Sequence, residues 1–502
     1  MWRYSALKNP LVKGTLILTG AGIITRMIGF GYRIFLAGTL GETGLGVYQM
    51  IFPVYSLCFT LYAAGIQTAV SQMISHEPSS SHPAIVRSGI ILSLITALCL
   101  SGVVWNLSDY ISAAFLGVQE TAPLLRILAV VFPFCGITAV INGYFYGISN
   151  ARIPAVTQIV EQLFRVSLVA AAAWFIIDGK VTASVAVLGL LAGEIASHIY
   201  NIRHLFTKMK FQEICRSKGK FRHLLALSIP LSGNKLVIAL LGSLESVLIP
   251  AMLVRYGCSG PDALAIFGIL TGVVLPFIMF PGTLTNSLSV LLLPAIAQSE
   301  GRAQYDSVRR TTNMAIRYSI LLGVLTSSLF INFGIEIGNF VFHSENAGKL
   351  LTALAFLCPF LYVTTTLNSV INGLGKTGVT FLHNVIGLCI RILFLVFITP
   401  REGIYGYLLG LLLSQILTCL LNAVYLARTR GVHYFLMNQF VWPMVFSCSL
   451  FYITKLAGNW LAGRSGQPVL EFAFLIPAGG LILLYLYFFR LFRWKDFTGR
   501  CR

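Results

Sequence analysis

Long apolar runs separated by short polar breaks occupy nearly the whole chain. A helix needs about 20 such residues to cross the roughly 30 Å of hydrocarbon in a bilayer, and fourteen runs meet that length. The first seven are 14–37, 46–75, 85–108, 122–148, 154–177, 182–206 and 224–254. The rest are 262–297, 311–335, 347–374, 378–399, 404–427, 440–460 and 469–492. The pattern predicts an all-α polytopic membrane protein of about fourteen transmembrane helices, the second long enough to tilt or to extend beyond the bilayer.

A second periodicity lies over the first. Pro133-Phe134, Asn142, Gly147 and Arg165 recur as Pro359-Phe360, Asn368, Gly373 and Arg391, all displaced by 226 residues. Each match sits in the same order of helix, Gly-containing turn and helix, which argues for an internal repeat of about six spans and two pseudo-symmetric lobes. The longest strongly polar stretch, KMKFQEICRSKGKFRH at 208–223, falls between them. The expected organisation is therefore an N-terminal lobe over 1–207, a basic joint over 208–223 and a C-terminal lobe over 224–427. Two further helices and a basic tail follow over 428–502. Repeats of this kind build many secondary transporters, with the substrate site where the lobes meet.

Charge then orients the chain. Arg3, Lys8, Lys13, Arg87, Arg152, the run from Lys208 to Arg222, Arg302, Lys376, Arg428 and the tail from Arg490 all fall in alternate loops. The intervening loops hold few cations, Lys180, Arg255, Arg401 and Arg464. Cytoplasmic loops collect Lys and Arg, so both termini are expected in the cytoplasm, with a first span that is not cleaved as a signal peptide. HEPSSSHP at 76–83 is expected to be a flexible cytoplasmic turn.

Composition agrees: 56% of residues are hydrophobic and 11% charged, and no soluble domain is evident. In a membrane protein the net charge of +19 reads as loop cations against anionic headgroups, not as a nucleic-acid surface. The ten cysteines include no CxxC pair, so neither a disulfide framework nor a metal site is indicated. No GxxxxGK[ST], HExxH or acidic metal cluster occurs, and no cofactor is expected. Acids in the outer loops are scattered, which weighs against a membrane enzyme.

The candidate chemistry is what remains inside the spans. Arg26 and Arg33 in the first run share a helical stripe with Gly22 and Gly29. An arginine near the bilayer centre costs roughly 2.5–3.5 kcal/mol, so each must face water or protein. Either the stripe is a cationic wall, opened by its glycines, that receives an anion, or the arginines are satisfied by carboxylates on neighbouring helices. Glu161 and Arg165, four apart with the acid first, have the spacing of a pair along one face. Glu194 and His198 repeat that spacing and read as an internally bonded polar face. Lys235 and Glu245 are ten apart, too far around one helix to meet; Asn234 and Ser232 could share a polar wall with the lysine, and Glu245 is a candidate counter-ion for a first-helix arginine. Arg391 differs from its counterpart Arg165 in having Gly387, not a glutamate, four residues before it, so it is expected to keep its charge beside open space.

With these spans, lobes and arginines the chain resembles the multidrug/oligosaccharidyl-lipid/polysaccharide (MOP) exporter superfamily. TRMIGFGYRIFLAGTLGETGLGVYQMIFPVYSL at 25–57 and AAGIQTAVSQMIS at 63–75 are similar to the stage V sporulation protein B and polysaccharide biosynthesis family, and the similarity runs along essentially the whole chain. The resemblance implies a MATE-like fold around a central cavity, in the cytoplasmic membrane. It also implies a flippase for an undecaprenyl-pyrophosphate-linked saccharide such as lipid II, in peptidoglycan or spore cortex synthesis. Such a protein would work as a monomer beside cell-wall synthesis enzymes and membrane lipids. Lipid II flippases of the superfamily line the cavity with arginines, beginning in an SRxxGxxR-like pattern. Here Thr25-Arg26 and Gly29 match its start, Tyr32 stands where the second arginine is expected with Arg33 beside it, and LYAAGIQTAV at 61–70 has no cation. Lys235, Arg165 and Arg391 are the further cations available. A drug or cation antiporter of the same architecture is the alternative, but acids should dominate its cavity.

Overall fold

The computed structural model describes residues 10–175, 181–210, 213–214, 219–432, 440–465, 477 and 479–482. All regular secondary structure among them is helical. In chain order the principal helices are α1 (Pro10–Gln49), α2 (Phe52–His76), α3 (His82–Asn106), α4 (Ala122–Gly147), α5 (Arg152–Phe175), α6 (Ala183–Phe206) and α7 (Phe221–Tyr256). Then come α8 (Gly260–Met279), α9 (Thr283–Gly301), α10 (Tyr305–Phe342), α11 (Glu345–Leu354) and α12 (Leu357–Gly373). The last are α13 (Thr377–Phe397), α14 (Ile404–Arg430) and α15 (Trp442–Ser465). Among the described residues eleven helices are long and apolar enough to span, or twelve with α11 and α12 taken as one span bent by 58°. The expected span at 469–492 lies almost wholly outside the described residues, as do the N-terminal Arg3 and Lys8, Lys180 and the tail from Arg490.

Four expected spans are built differently. The first continues past Gly41, whose φ of 69° kinks it in a conformation that glycine adopts without steric cost, and takes in the start of the second, which resumes as α2 after a turn at Met50-Ile51. The expected run 262–297 is cut between α8 and α9, where Pro281 lacks the amide hydrogen a continuous helix needs. The run 347–374 bends between Leu354 and Leu357.

Two compact units result among the described residues: those up to Val273 with Leu395–Ile404, and Val274–Phe394 with those from Tyr405 onward. In the first, α2, α3, α4 and α6 close on a core of Val70, Ile85, Val140, Ile141, Phe145 and Leu205. Compactness also groups α7 and most of α8 with the first six helices, whereas the sequence repeat places them in the second lobe. α7 lies along α2, where Ser243 donates to the Pro53 carbonyl at 2.9 Å and Lys235 to the Ala64 carbonyl at 2.8 Å. In the second unit, α10, α12 and α14 enclose Ile316, Val363, Leu367, Val370 and Leu426.

The repeat has a physical counterpart inside each unit. In the first, Thr157 on α5 donates to Asn201 on α6 at 2.7 Å, and Asn201 donates to Asn142 on α4 at 3.2 Å. In the second, Asn422 on α14 donates to Asn368 on α12 at 2.9 Å. With its NH2 spent on Asn368, Asn422 presents its own Oδ1 as an acceptor, and His383 on α13 donates to it through Nδ1–H at 2.8 Å. Asn142 and Asn368, and Thr157 and His383, stand at the same 226-residue offset. Such buried amide ladders satisfy groups that hydrocarbon would leave unpaired, and they hold three helices in register.

Candidate functional site

Helix α1 carries the first two candidate cations, and the structure treats them differently. Arg26 is exposed, and a Cβ placed at Gly22 or Gly29 would have no neighbour within 4 Å, so the stripe is open as its glycines suggest. Arg33 is half-buried and donates to the Gly272 carbonyl of α8 at 3.0 Å. Tyr32, at the place where the family pattern expects an arginine, is buried.

Arg33 reaches α8 across a seam of backbone contacts. A Cβ on Gly46 would lie 2.1 Å from the Leu264 carbonyl oxygen, and one on Gly268 would lie 2.4 Å from the Gly46 nitrogen. Gly46 and Gly272 are themselves repeat mates, 226 residues apart. The two helices therefore meet over equivalent stretches of the repeat, glycine against backbone.

Arg165 on α5 forms the expected ion pair with Glu161, both side chains largely buried. Its electrostatic surroundings include Tyr48 at the end of α1 and Glu194 on α6. Glu194 is 5% exposed and feels both charges of the pair. The expected face joining Glu194 to His198 resolves into two partnerships: Glu194 belongs with the α5 pair, while His198 stacks edge-on against Phe134 and lies 3.4 Å from Thr138 on α4. Two acids and one arginine thus share a buried pocket of polarity in a membrane-spanning unit.

Lys235 is exposed on α7. Besides Ala64 it donates to the Thr68 hydroxyl at 3.0 Å. Ala64 ends a π-helical turn in α2, Thr60–Ala64, and such turns displace a carbonyl from the ordinary ladder. Glu245 is buried on α7, ten residues on. Arg26, Arg33, Arg165 and Lys235 all belong to the first unit; Arg391 lies in the second, on α13.

One expectation about Arg391 is corrected. Gly387 does not leave open space: a Cβ there would stand 2.5 Å from the Thr418 hydroxyl of α14. The glycine admits a neighbouring helix. Its role is packing, and it differs from Glu161 in size as well as in charge.

Two features were missed. Lys455, inside the expected 440–460 span, pairs with Glu336 and donates to the Asn332 carbonyl at 2.7 Å, tying α15 to α10. A lysine in an apolar run was the available sign; its partner sits one residue beyond the expected 311–335 span. The other is an aromatic ladder, Tyr48, Phe52, Tyr55, Phe59 and Tyr62, whose successive rings lie 5.3, 6.3, 6.0 and 5.9 Å apart. Its spacing of four, three, four and three residues was legible as one helix face.

Outside the spans, the 76–83 turn is tethered to the basic joint: Lys220 pairs with Glu77, and its backbone N–H donates to Ser88 at 2.6 Å. The hydrogen bond from Lys220 holds the Glu77 carboxyl below its ordinary value. Residues 211–212 and 215–218 of the joint lie outside the described residues. Among the described residues no cluster of His, Cys, Asp or Glu is placed to hold a metal ion.

A multi-span helical chain with an internal repeat, intramembrane cations on an open stripe and amide-laddered helices is a polytopic membrane protein built on a duplicated helical plan. The chain belongs to the polysaccharide biosynthesis protein family, whose model matches residues 11–300; a MatE model matches residues 236–397. It is 26% identical to stage V sporulation protein B of Bacillus subtilis (strain 168), over 97% of each chain. It is 21% identical to lipid II flippase MurJ of the same organism, over 95% of each. Among solved structures, lipid II flippase MurJ in an inward closed conformation matches with a TM-score of 0.69 at 16% identity, covering 95% of this chain and 99% of that one. An inward-facing MATE family multidrug resistance transporter matches with a TM-score of 0.62 at 16% identity, covering 82% and 94%.

Proposed function

We propose that this protein is a flippase that carries a polyprenyl-pyrophosphate-linked saccharide, lipid II or a close relative, across the cytoplasmic membrane by alternating access. The observation that carries the reading is the α1 stripe: Arg26 exposed, with open space at Gly22 and Gly29 on the same face. A lipid-linked pyrophosphate loses its hydration on entering a membrane protein, and fixed guanidinium donors offset that loss. Arg26, Arg33 and Lys235 are read as ligand cations. The last two already donate to backbone carbonyls, acceptors that a pyrophosphate oxygen can replace. Arg391 is read as a ligand cation of the second unit, and Arg165, held by Glu161, as structural. The protein is read as a transporter and not an enzyme, acting as a monomer with both termini in the cytoplasm.

The similarity to stage V sporulation protein B supports a role in sporulation, and the MurJ likeness supports lipid II as cargo. The test is leaflet-resolved labelling of lipid II in cells depleted of their other flippases. With the wild-type protein, outer-leaflet lipid II should be restored. With Arg26→Ala it should not, although the protein reaches the membrane at near-normal level. Restoration by Arg26→Ala would refute the assignment, and loss of that variant from the membrane would make Arg26 a structural charge.

A further inference from the structure

Away from the α1 stripe, a trough of about 400 Å³ opens between α3, α4 and α6 of the first unit. Its walls are Ile90, Ile91, Ile137, Ile141 and Ile202, with Ile214 of the basic joint also lining it and Arg87 as the single charged lining residue among those described. We infer that this trough is a site for one anionic glycerophospholipid, an acyl chain lying among the isoleucines and the phosphate meeting Arg87.

The dimensions fit that occupant. The volume of about 400 Å³ is on the scale of one acyl chain. Its depth fits as well. Arg87 stands in the second turn of α3, while Ile137 lies ten residues before the end of α4 at Gly147. At 1.5 Å per residue that is about 15 Å, half of a roughly 30 Å hydrocarbon core and so the reach of one leaflet. β-branched side chains have one stiff χ1 choice in a helix, so isoleucine walls keep the trough preformed where leucine or methionine would fold into it.

The charge at its mouth also matches. Arg203, Lys208 and Lys210 are exposed at and just beyond the end of α6, whose Leu205 and Phe206 complete the lining. Of the acids at this end, Glu77 is paired with Lys220, and Glu213 accepts from the Lys210 N–H at 3.3 Å. A guanidinium offers five donors in a planar fork suited to phosphate. Ile214 belongs to the joint, so an occupied trough would also fasten that segment to the membrane end of the first unit.

Native mass spectrometry of the full-length protein, titrated with phosphatidylglycerol and phosphatidylethanolamine in mild detergent, tests the site. A single phosphatidylglycerol adduct should form, preferred over phosphatidylethanolamine by about tenfold. Arg87→Gln should reduce that preference to near unity. Ile137→Trp, which fills the trough, should remove the adduct from a protein that remains monodisperse, and Ile90→Phe from the opposite wall should do the same if the tryptophan variant fails to fold. Equal retention of the two lipids by the wild type, an adduct unchanged in the variants, or a polyprenyl lipid as the retained molecule would each overturn the inference.

Discussion

Arg165 and Arg391 hold equivalent places in the repeat but have different neighbours one turn earlier. Glu161 faces the first within a buried ion pair, whereas the second has a glycine against which Thr418 packs. Removing Arg165 alone leaves Glu161 and Glu194 as buried acids with no balancing charge from that pair, a loss of about 3–5 kcal/mol for breaking a buried pair. Arg165→Gln should therefore lower the level of folded protein, and adding Glu161→Gln should recover it together with partial transport. Arg391→Gln should fold normally and lose transport. Detergent melting curves and flippase assays on the double-mutant cycle measure both, and absence of coupling between 161 and 165 would refute the asymmetry. The ion pair was readable from i, i+4 spacing because both partners lie on one helix. The space beside Gly387 was not, since its neighbour is 31 residues away on α14.

At the scale of elements, the contact between α1 and α8 depends on close backbone approach at Gly46 as well as on the Arg33 side chain. Gly46→Ala should lower the thermal midpoint in detergent, by the equivalent of about 1–3 kcal/mol for overpacking. Leu264→Ala should not rescue it, because the atom in the way is the Leu264 carbonyl oxygen. Gly22→Ala, with nothing within 4 Å, is the control and should fold as the wild type does. The tether between the 76–83 turn and the joint makes a pH-dependent prediction. The native carboxyl of Glu77 titrates below its ordinary value, so the tether contributes above the ordinary carboxylate pKa and is lost as pH falls through the lowered one. A partly exposed pair is worth about 0–1 kcal/mol, so protease cleavage within 208–223 should rise only a few-fold on acidification. The step should be absent in Glu77→Gln, and an unaltered step would remove Glu77 from the account.

At the scale of the molecule, alternation of loop charge predicts that a cysteine at Lys208, in a background with the ten native cysteines replaced, reacts with an impermeant thiol reagent only after permeabilisation. Labelling in intact cells would reverse the orientation. What the sequence by itself determined were properties carried by single segments and their order: the spans, the basic side, the repeat at a constant offset and the i, i+4 ion pair. Each follows from the local rule that a bilayer-crossing helix must hide its backbone and most of its charge. The tertiary structure alone decided which helix faces meet. It placed Arg33 on the Gly272 carbonyl, Thr418 against Gly387 and Lys455 on Glu336, divided the compact units at 273/274, and left a trough beside Arg87. Packing in a membrane is driven by close backbone approach and interhelical polar contacts between segments far apart in the chain, and a hydrophobic period that repeats in every span does not specify the partner.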